Sequence, residues 1–190
     1  MKRSQVAISF GMIVLNGEPF IRYNLRNIYP YAHQIIIVEG AVESAYNIST
    51  PDGHSTDNTL KIIQDFIQTE DVDNKVILIT KDGFWQEKDD MSQAYASKAT
   101  GNYLWQIDVD EFYDTHSIAL FIDYLAANPD VSGASFRTLT FLGSPEYVVD
   151  SWWLRYGSRD FHRVFKWGEN YQYVTHRPPT VVNEKGEDLR

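Results

Sequence analysis

Apolar residues fall along this chain in short, dense runs separated by segments of helical period. Val6 to Val14, Gln34 to Glu39 (Q-I-I-I-V-E), Lys75 to Thr80 and Tyr103 to Ile107 are such runs. Each is short for a buried helix and fits a strand covered on both faces, as in a parallel sheet. Between them the period changes. Asn16 and Pro19 open a helix over Glu18 to Ile28, which Pro30 ends. In S-T-D-N-T-L-K-I-I-Q-D-F-I-Q, Leu60, Ile63, Phe66 and Ile67 mark one helical face, and Ser55 to Asp57 supply the N-cap. Glu87 to Thr100 reads as a helix closed by Gly101, and His116 to Ala127 as one stopped by Asn128-Pro129. Four strand–helix units in succession predict a doubly wound, Rossmann-like α/β sheet. Past residue 130 the pattern changes: Ser132 to Leu142 alternates as a half-buried strand. An aromatic loop, Tyr147 to Tyr156, precedes short strands at Arg163 to Trp167 and Tyr171 to Thr175.

Composition narrows the function. At 190 residues without repeats or a linker, the chain suits one domain. Its formal charge of −9, with no basic stripe, argues against binding nucleic acid. The same charge suits a site that takes up a cation before an anionic substrate. No cysteine is present, which excludes disulfides and thiolate metal sites. The basic start M-K-R lacks a signal-type cleavage site, and the apolar run after it is too short to span a bilayer. The expected setting is cytoplasmic. The polar end, E-K-G-E-D-L-R, leaves room for the chain to be a catalytic fragment of something longer.

The chemistry concentrates where the fourth strand stops. G-N-Y-L-W-Q-I-D-V-D-E-F places Asp108, Asp110 and Glu111 within four residues. These carboxylates repel one another and become favourable when a divalent cation and hydroxyl groups are there to be held. Alternate side chains at a strand edge point the same way, so Asp108 and Asp110 can share a ligand. An acidic cluster after a strand is also commonly a solvated turn, and Asp114 and Thr115 are placed to cap the next helix. Other strand ends carry polar groups too: Glu39 after the second, Asp57 at the following helix start, Lys81 and Asp82 after the third. One such group per strand end exceeds what turns require, and a doubly wound sheet binds its ligand at that edge.

The order apolar strand, helix, I-I-V-E-G, S-T-D-N-T, G-N-Y-L-W-Q-I-D-V-D-E-F and a late His resembles the family 2 glycosyltransferases with the GT-A fold, over about residues 5–180. The resemblance implies a mixed sheet flanked by helices, with a nucleotide-sugar-binding half (about 1–130) followed by an acceptor-side half (about 131–190). It implies a nucleotide-sugar donor, a saccharide or other hydroxyl acceptor, Mn²⁺ or Mg²⁺, and inversion at the anomeric carbon. Carried over, Asp108 touches the ribose and metal-bound water, and Asp110 and the late His176 ligate the metal. Glu39 and Asp57 contact the nucleoside, and Lys88 the diphosphate. Residues 40–54 interrupt the family's usual short path from the strand-end acid to S-T-D, which leaves the base of the nucleotide open. For the base that takes the acceptor's proton, Asp160 comes first, with Asp150 and Glu146 as alternatives, and Trp152, Trp153 and Tyr156 offer faces for a sugar. A nucleotidyltransferase is an alternative, against which stands the lack of a Gly-rich basic loop after the first strand. An aspartyl phosphatase meets Phe112 where its motif wants Thr. A nucleotide-sugar or carbohydrate-binding module that has lost catalysis is the third alternative.

Overall fold

A computed structural model describes residues 5–149 and 160–190. Its centre is a six-stranded mixed sheet whose strands lie in the order 76–79, 34–39, 8–14, 103–106, 160–166 and 133–137. The parallel part comprises β1 (Ile8–Val14), β2 (Gln34–Glu39), β3 (Val76–Ile79) and β4 (Tyr103–Gln106). The helices α1 (Ile21–Ile28), α2 (Thr59–Thr69), α3 (Lys88–Ala96) and α4 (Thr115–Ala127) alternate with these strands. The expected strand–helix order is therefore present, with ends shifted by a few residues. The largest shift is at α3, which stops at Ala96 where the expectation ran to Thr100, because 97–100 turn toward β4.

Every residue of β2 is buried, as its unbroken apolar run required. Ile35 and Ile37 face a core with Leu25, Phe66, Trp105 and Ile118, so α1, α2 and α4 cover that side. Ile36 and Val38 face the other side, where Met91 and Tyr95 of α3 meet Leu104, Phe165, Tyr173 and Val181. The Tyr95 ring lies so close to β1 that a Cβ on Gly11 would stand 2.3 Å from it, so glycine sets how near α3 approaches the sheet.

The later strands depart from the expectation. The alternating run splits into β5 (Gly133–Arg137) and β6 (Phe141–Leu142), the latter paired with β7 (Ser144–Val148) outside the main sheet. Gly143 turns this hairpin with φ +73°, a conformation that glycine adopts without strain. β8 (Asp160–Lys166) inserts between β4 and β5 and runs antiparallel to both. β9 (Gln172–Thr175) and β10 (Thr180–Val182) form a separate ribbon against α3. Among the described residues, no helix is long and apolar enough to cross a membrane.

Candidate active site

Because β1 to β4 are parallel, their carboxyl ends share one edge, and a cleft of about 500 Å³ opens there. Val14 at the end of β1 and Asn16 just after it, Gly40 to Val42 after β2, and Asp108 to Asp110 after β4 line it. Lys88 and Met91 of α3, and His176 and Arg177 after β9, complete the wall. Asp108, Asp110, Lys88 and His176, drawn from three separate stretches of the chain, thus line one cleft.

Asp108 is not a free carboxylate. Arg163 of β8 donates to its Oδ2 at 3.0 Å and Arg177 at 3.2 Å. The same Arg163 guanidinium donates to Glu111, and Glu111 in turn accepts from the Asp108 amide at 3.2 Å. Asn24 of α1 holds this turn from below, donating to the carbonyls of Glu111 (2.7 Å) and Asp108 (3.3 Å). Burial pushes the Glu111 carboxyl above its usual range, with Arg163 pulling against that shift. Arg163, itself buried, is thus the counter-charge that lets two carboxylates sit at a core strand's mouth. Asp110 stands exposed on the cleft.

The strand-end acid Glu39 does not line the cleft. It is fully buried, with one oxygen on His54 Nδ1 (2.8 Å) and the other on the Ser55 amide (2.8 Å). The Glu39 hydrogen bond holds the His54 imidazole above its ordinary pKa, against partial burial. Together they fasten the far end of the 40–54 segment, whose Ala41, Val42, Ala45 and Ile48 form an apolar wall of the cleft. Asn16 fastens it from β1: its side chain donates to Ile48 (2.6 Å) and accepts from the Thr56 amide (2.7 Å). Asn16 sits at φ 53°, a left-handed conformation that asparagine tolerates. Asp57 is spent on the amides of Glu18 (3.0 Å) and Thr59 (2.9 Å), which hold its carboxyl below the usual range despite the upward push of partial burial. Glu39 and Asp57 therefore shape the cleft through the loops they hold.

His176 is 3% exposed. Its amide donates to Asp89 (2.7 Å), and its Nδ1 meets the Ser92 hydroxyl (2.9 Å) and the Gln106 amide nitrogen (3.4 Å). Burial pushes the imidazole below its ordinary pKa; Arg177, Lys88 and Arg163 add to that against the pull of Asp108.

Two carboxylates on a cleft are donors of the kind Mn²⁺ and Mg²⁺ take. Among the described residues no three acidic or imidazole side chains converge on one point, so the expected Asp108–Asp110–His176 set is not assembled. Mg²⁺ and similar ions are often held by one or two carboxylates with substrate phosphates completing the shell. Exposed Asp110, with Asp108 beside it, fits that arrangement.

For the proton acceptor, the register of β8 against β4 pairs Trp105 with Val164, so the start of β8 at Asp160 runs toward the carboxyl edge. Glu146 lies on β7, away from the cleft lining. Asp150, Trp152, Trp153 and Tyr156 lie outside the described residues. Sequence reasoning missed Arg163, Arg177, Asn16, Ser92 and Gln106. For Arg163 a signal existed, since an Arg within the apolar run R-V-F needs a buried anion.

The family model for glycosyl transferase family 2 matches residues 9–177. Among solved structures, the mannosyltransferase PcManGT from Pyrobaculum calidifontis, in complex with GDP-Man and Mn²⁺, is similar at TM-score 0.55 and 19% identity. That match covers 71% of this chain and 36% of the other. S. aureus TarS 1-349 in complex with UDP-GlcNAc is similar at TM-score 0.53 and 11% identity, covering 73% and 36%. These likenesses show the fold, and the chain spans little more than a third of either structure's length. No curated protein matches.

Proposed function

The chain belongs to glycosyl transferase family 2, and from that premise we propose that it moves a sugar from a nucleotide-sugar donor to an acceptor hydroxyl, with inversion and with a divalent cation. One observation carries this reading: Asp108 and Asp110 stand at the carboxyl end of β4 on a cleft that Lys88 and Arg177 also line, Arg177 beside Asp108 itself. Carboxylates for a cation and two cations for phosphate oxygens, on one cleft, suit a diphosphate leaving group. The GDP-Man and Mn²⁺ of PcManGT and the UDP-GlcNAc of TarS support a donor of that chemistry. The apolar wall from Ala41 to Ile48 suits the face of a nucleobase.

In the proposed step the acceptor oxygen attacks the anomeric carbon from the face opposite the diphosphate. The carbon–oxygen bond to the diphosphate breaks with its electron pair, and the hydroxyl proton passes to a carboxylate. Asp160 is the first choice for that base, ahead of Asp150 and Glu146. Lys88 and Arg177 offset charge on the departing diphosphate, and Arg163 holds the Asp108 side chain in place. A divalent cation held by Asp108 and Asp110 would supply further neutralisation of the leaving group.

Thermal unfolding with UDP-, GDP- and other nucleotide sugars, each with Mn²⁺ or with EDTA, tests the reading. A ligand that binds only the folded state raises the melting temperature. At least one donor should do so in a Mn²⁺-dependent way and then lose its sugar to an acceptor. Binding without turnover across an acceptor panel would favour the binding-module alternative.

A further inference from the structure

His176 sits at the end of a hydrogen-bond chain that leads away from the cleft. The Tyr173 hydroxyl donates to Gln106 Oε1, which turns the Gln106 amide so that its N–H₂ faces His176 Nδ1 at 3.4 Å. The Ser92 hydroxyl meets the same nitrogen at 2.9 Å. A neutral imidazole carries one proton, and a proton on Nδ1 would oppose that of Gln106. The Gln106 N–H aimed at Nδ1 calls for a bare nitrogen there, and burial with three neighbouring cations favours the neutral ring against the pull of Asp108. Nδ1 is therefore the acceptor, and the proton belongs on Nε2, the nitrogen left to the cleft that His176 lines. A ring with its proton on the cleft side has no lone pair there for a metal. It agrees that His176 does not converge with Asp108 and Asp110 on one point.

We propose that His176 is a hydrogen-bond donor, through Nε2–H, to an anionic oxygen of the nucleotide's diphosphate, and that Gln106 and Ser92 are positioning residues that fix its tautomer. The assignment rests on the nucleotide-sugar reading above for its ligand, and on the Tyr173–Gln106–His176 chain for its direction. Arg177, next in sequence, and Lys88 line the same cleft, so the donor stands among cations that an anion would meet.

The tautomer is measurable in the unaltered protein. Long-range ¹H–¹⁵N spectra of histidine-labelled protein, assigned by loss of one signal in His176→Ala, should show Nε2 protonated and Nδ1 bare. A proton on Nδ1 overturns the proposal whatever any variant does. Calorimetry with UDP and with GDP supplies the second readout. His176→Ala should bind the nucleotide about 10-fold more weakly in Mn²⁺ and in EDTA alike, the loss expected for one hydrogen bond to a charged group. His176→Gln, which keeps an N–H near the Nε2 position, should recover most of that loss. Mn²⁺ affinity without nucleotide, read by water-proton relaxation, should be the same for His176→Ala and the unaltered protein. A loss confined to Mn²⁺, with weaker Mn²⁺ binding, would make His176 a metal ligand and overturn the proposal. If the unaltered protein binds neither nucleotide, the parent reading and the diphosphate partner fall together, while the spectra still judge the tautomer.

Discussion

Replacing Arg163 by Met is the most direct test of how the acidic turn is held. The side chain is 7% exposed and serves two carboxylates that are each 21% exposed, Asp108 and Glu111. Met keeps much of the volume and removes the charge, leaving Glu111 without its counter-charge and Asp108 with Arg177 alone. Removing one partner of a buried pair costs about 3–5 kcal/mol. Residual exposure of the carboxylates and the second cation, Arg177, on Asp108 bring this site below that range, to roughly 2–3 kcal/mol. For a domain of this size that corresponds to a fall of roughly 4–12 °C in melting temperature. The pH dependence has a definite sign. Burial already raises the Glu111 pKa and Arg163 opposes that rise, so without Arg163 the folded pKa climbs further. A carboxyl with a raised folded pKa binds its proton more tightly when folded, and stability falls as pH rises through that value. Urea unfolding followed by tryptophan fluorescence should therefore show a larger loss at pH 8 than at pH 5. Adding Glu111→Gln to the Met variant should restore part of the loss at pH 8, because one uncompensated charge is gone. A loss below about 0.5 kcal/mol, within the range of ordinary surface changes, would refute the structural role. So would a loss greater at pH 5 than at pH 8.

Three further outcomes are expected. Asp110→Ala should abolish the Mn²⁺-dependent part of nucleotide binding in calorimetry while moving stability by less than about 0.5 kcal/mol, since this carboxylate is exposed and packs little; unchanged Mn²⁺-dependent affinity would remove Asp110 from the cation site. Asp160→Asn keeps size but cannot take a proton, so turnover should drop about 10²-fold or more with donor affinity near that of the unaltered protein; normal turnover would move the base to Asp150 or Glu146. The Glu39 hydrogen bond raises the His54 pKa, with Asp52 and Asp82 adding to it, so the stability from the charged pair is present below the unfolded pKa and lost as pH rises through the folded one. His54→Ala should therefore lower the melting temperature more at pH 5.5 than at pH 8.5, and an equal or reversed difference would show that the pair is not ionic.

What the sequence disclosed and what it withheld divide along one physical line. The strands β1 to β4 and their helices were legible because each depends on local pattern: a dense apolar run, a helical period, a cap, a breaker. Asp108 and Asp110 were legible for the same reason, since a strand that ends in carboxylates places them at the sheet edge wherever its neighbours lie. The cap at Asp114 was local too, and its side chain does accept from the Ser117 amide at 2.8 Å. Partnerships were not legible. Glu39 was expected at the nucleoside because it ends a strand, yet His54, 15 residues on, takes one of its oxygens. Arg163 meets Asp108 across 55 residues only because β8 inserts beside β4, and no pattern within β8 says which strand it will join.

The same distinction separates two kinds of site residue on this cleft. Asp110 owes its place to the end of its own strand and has no hydrogen-bond partner among the described residues, which leaves it available to a ligand. Asp108, Glu39, Asp57 and His176 are each engaged by protein groups, so their chemistry is what the partner leaves over. For Asp108 that is a carboxylate whose Oδ2 is shared by two guanidiniums. Glu39 and Asp57 do not line the cleft and shape it through the 40–54 wall and the start of α2. For His176 the residue is one N–H. A site read only from residue types assigns all five to direct contact; on the proposed reading, the hydrogen bonds leave Asp110, part of Asp108 and one nitrogen of His176 for the ligand, with Lys88 and Arg177 beside them.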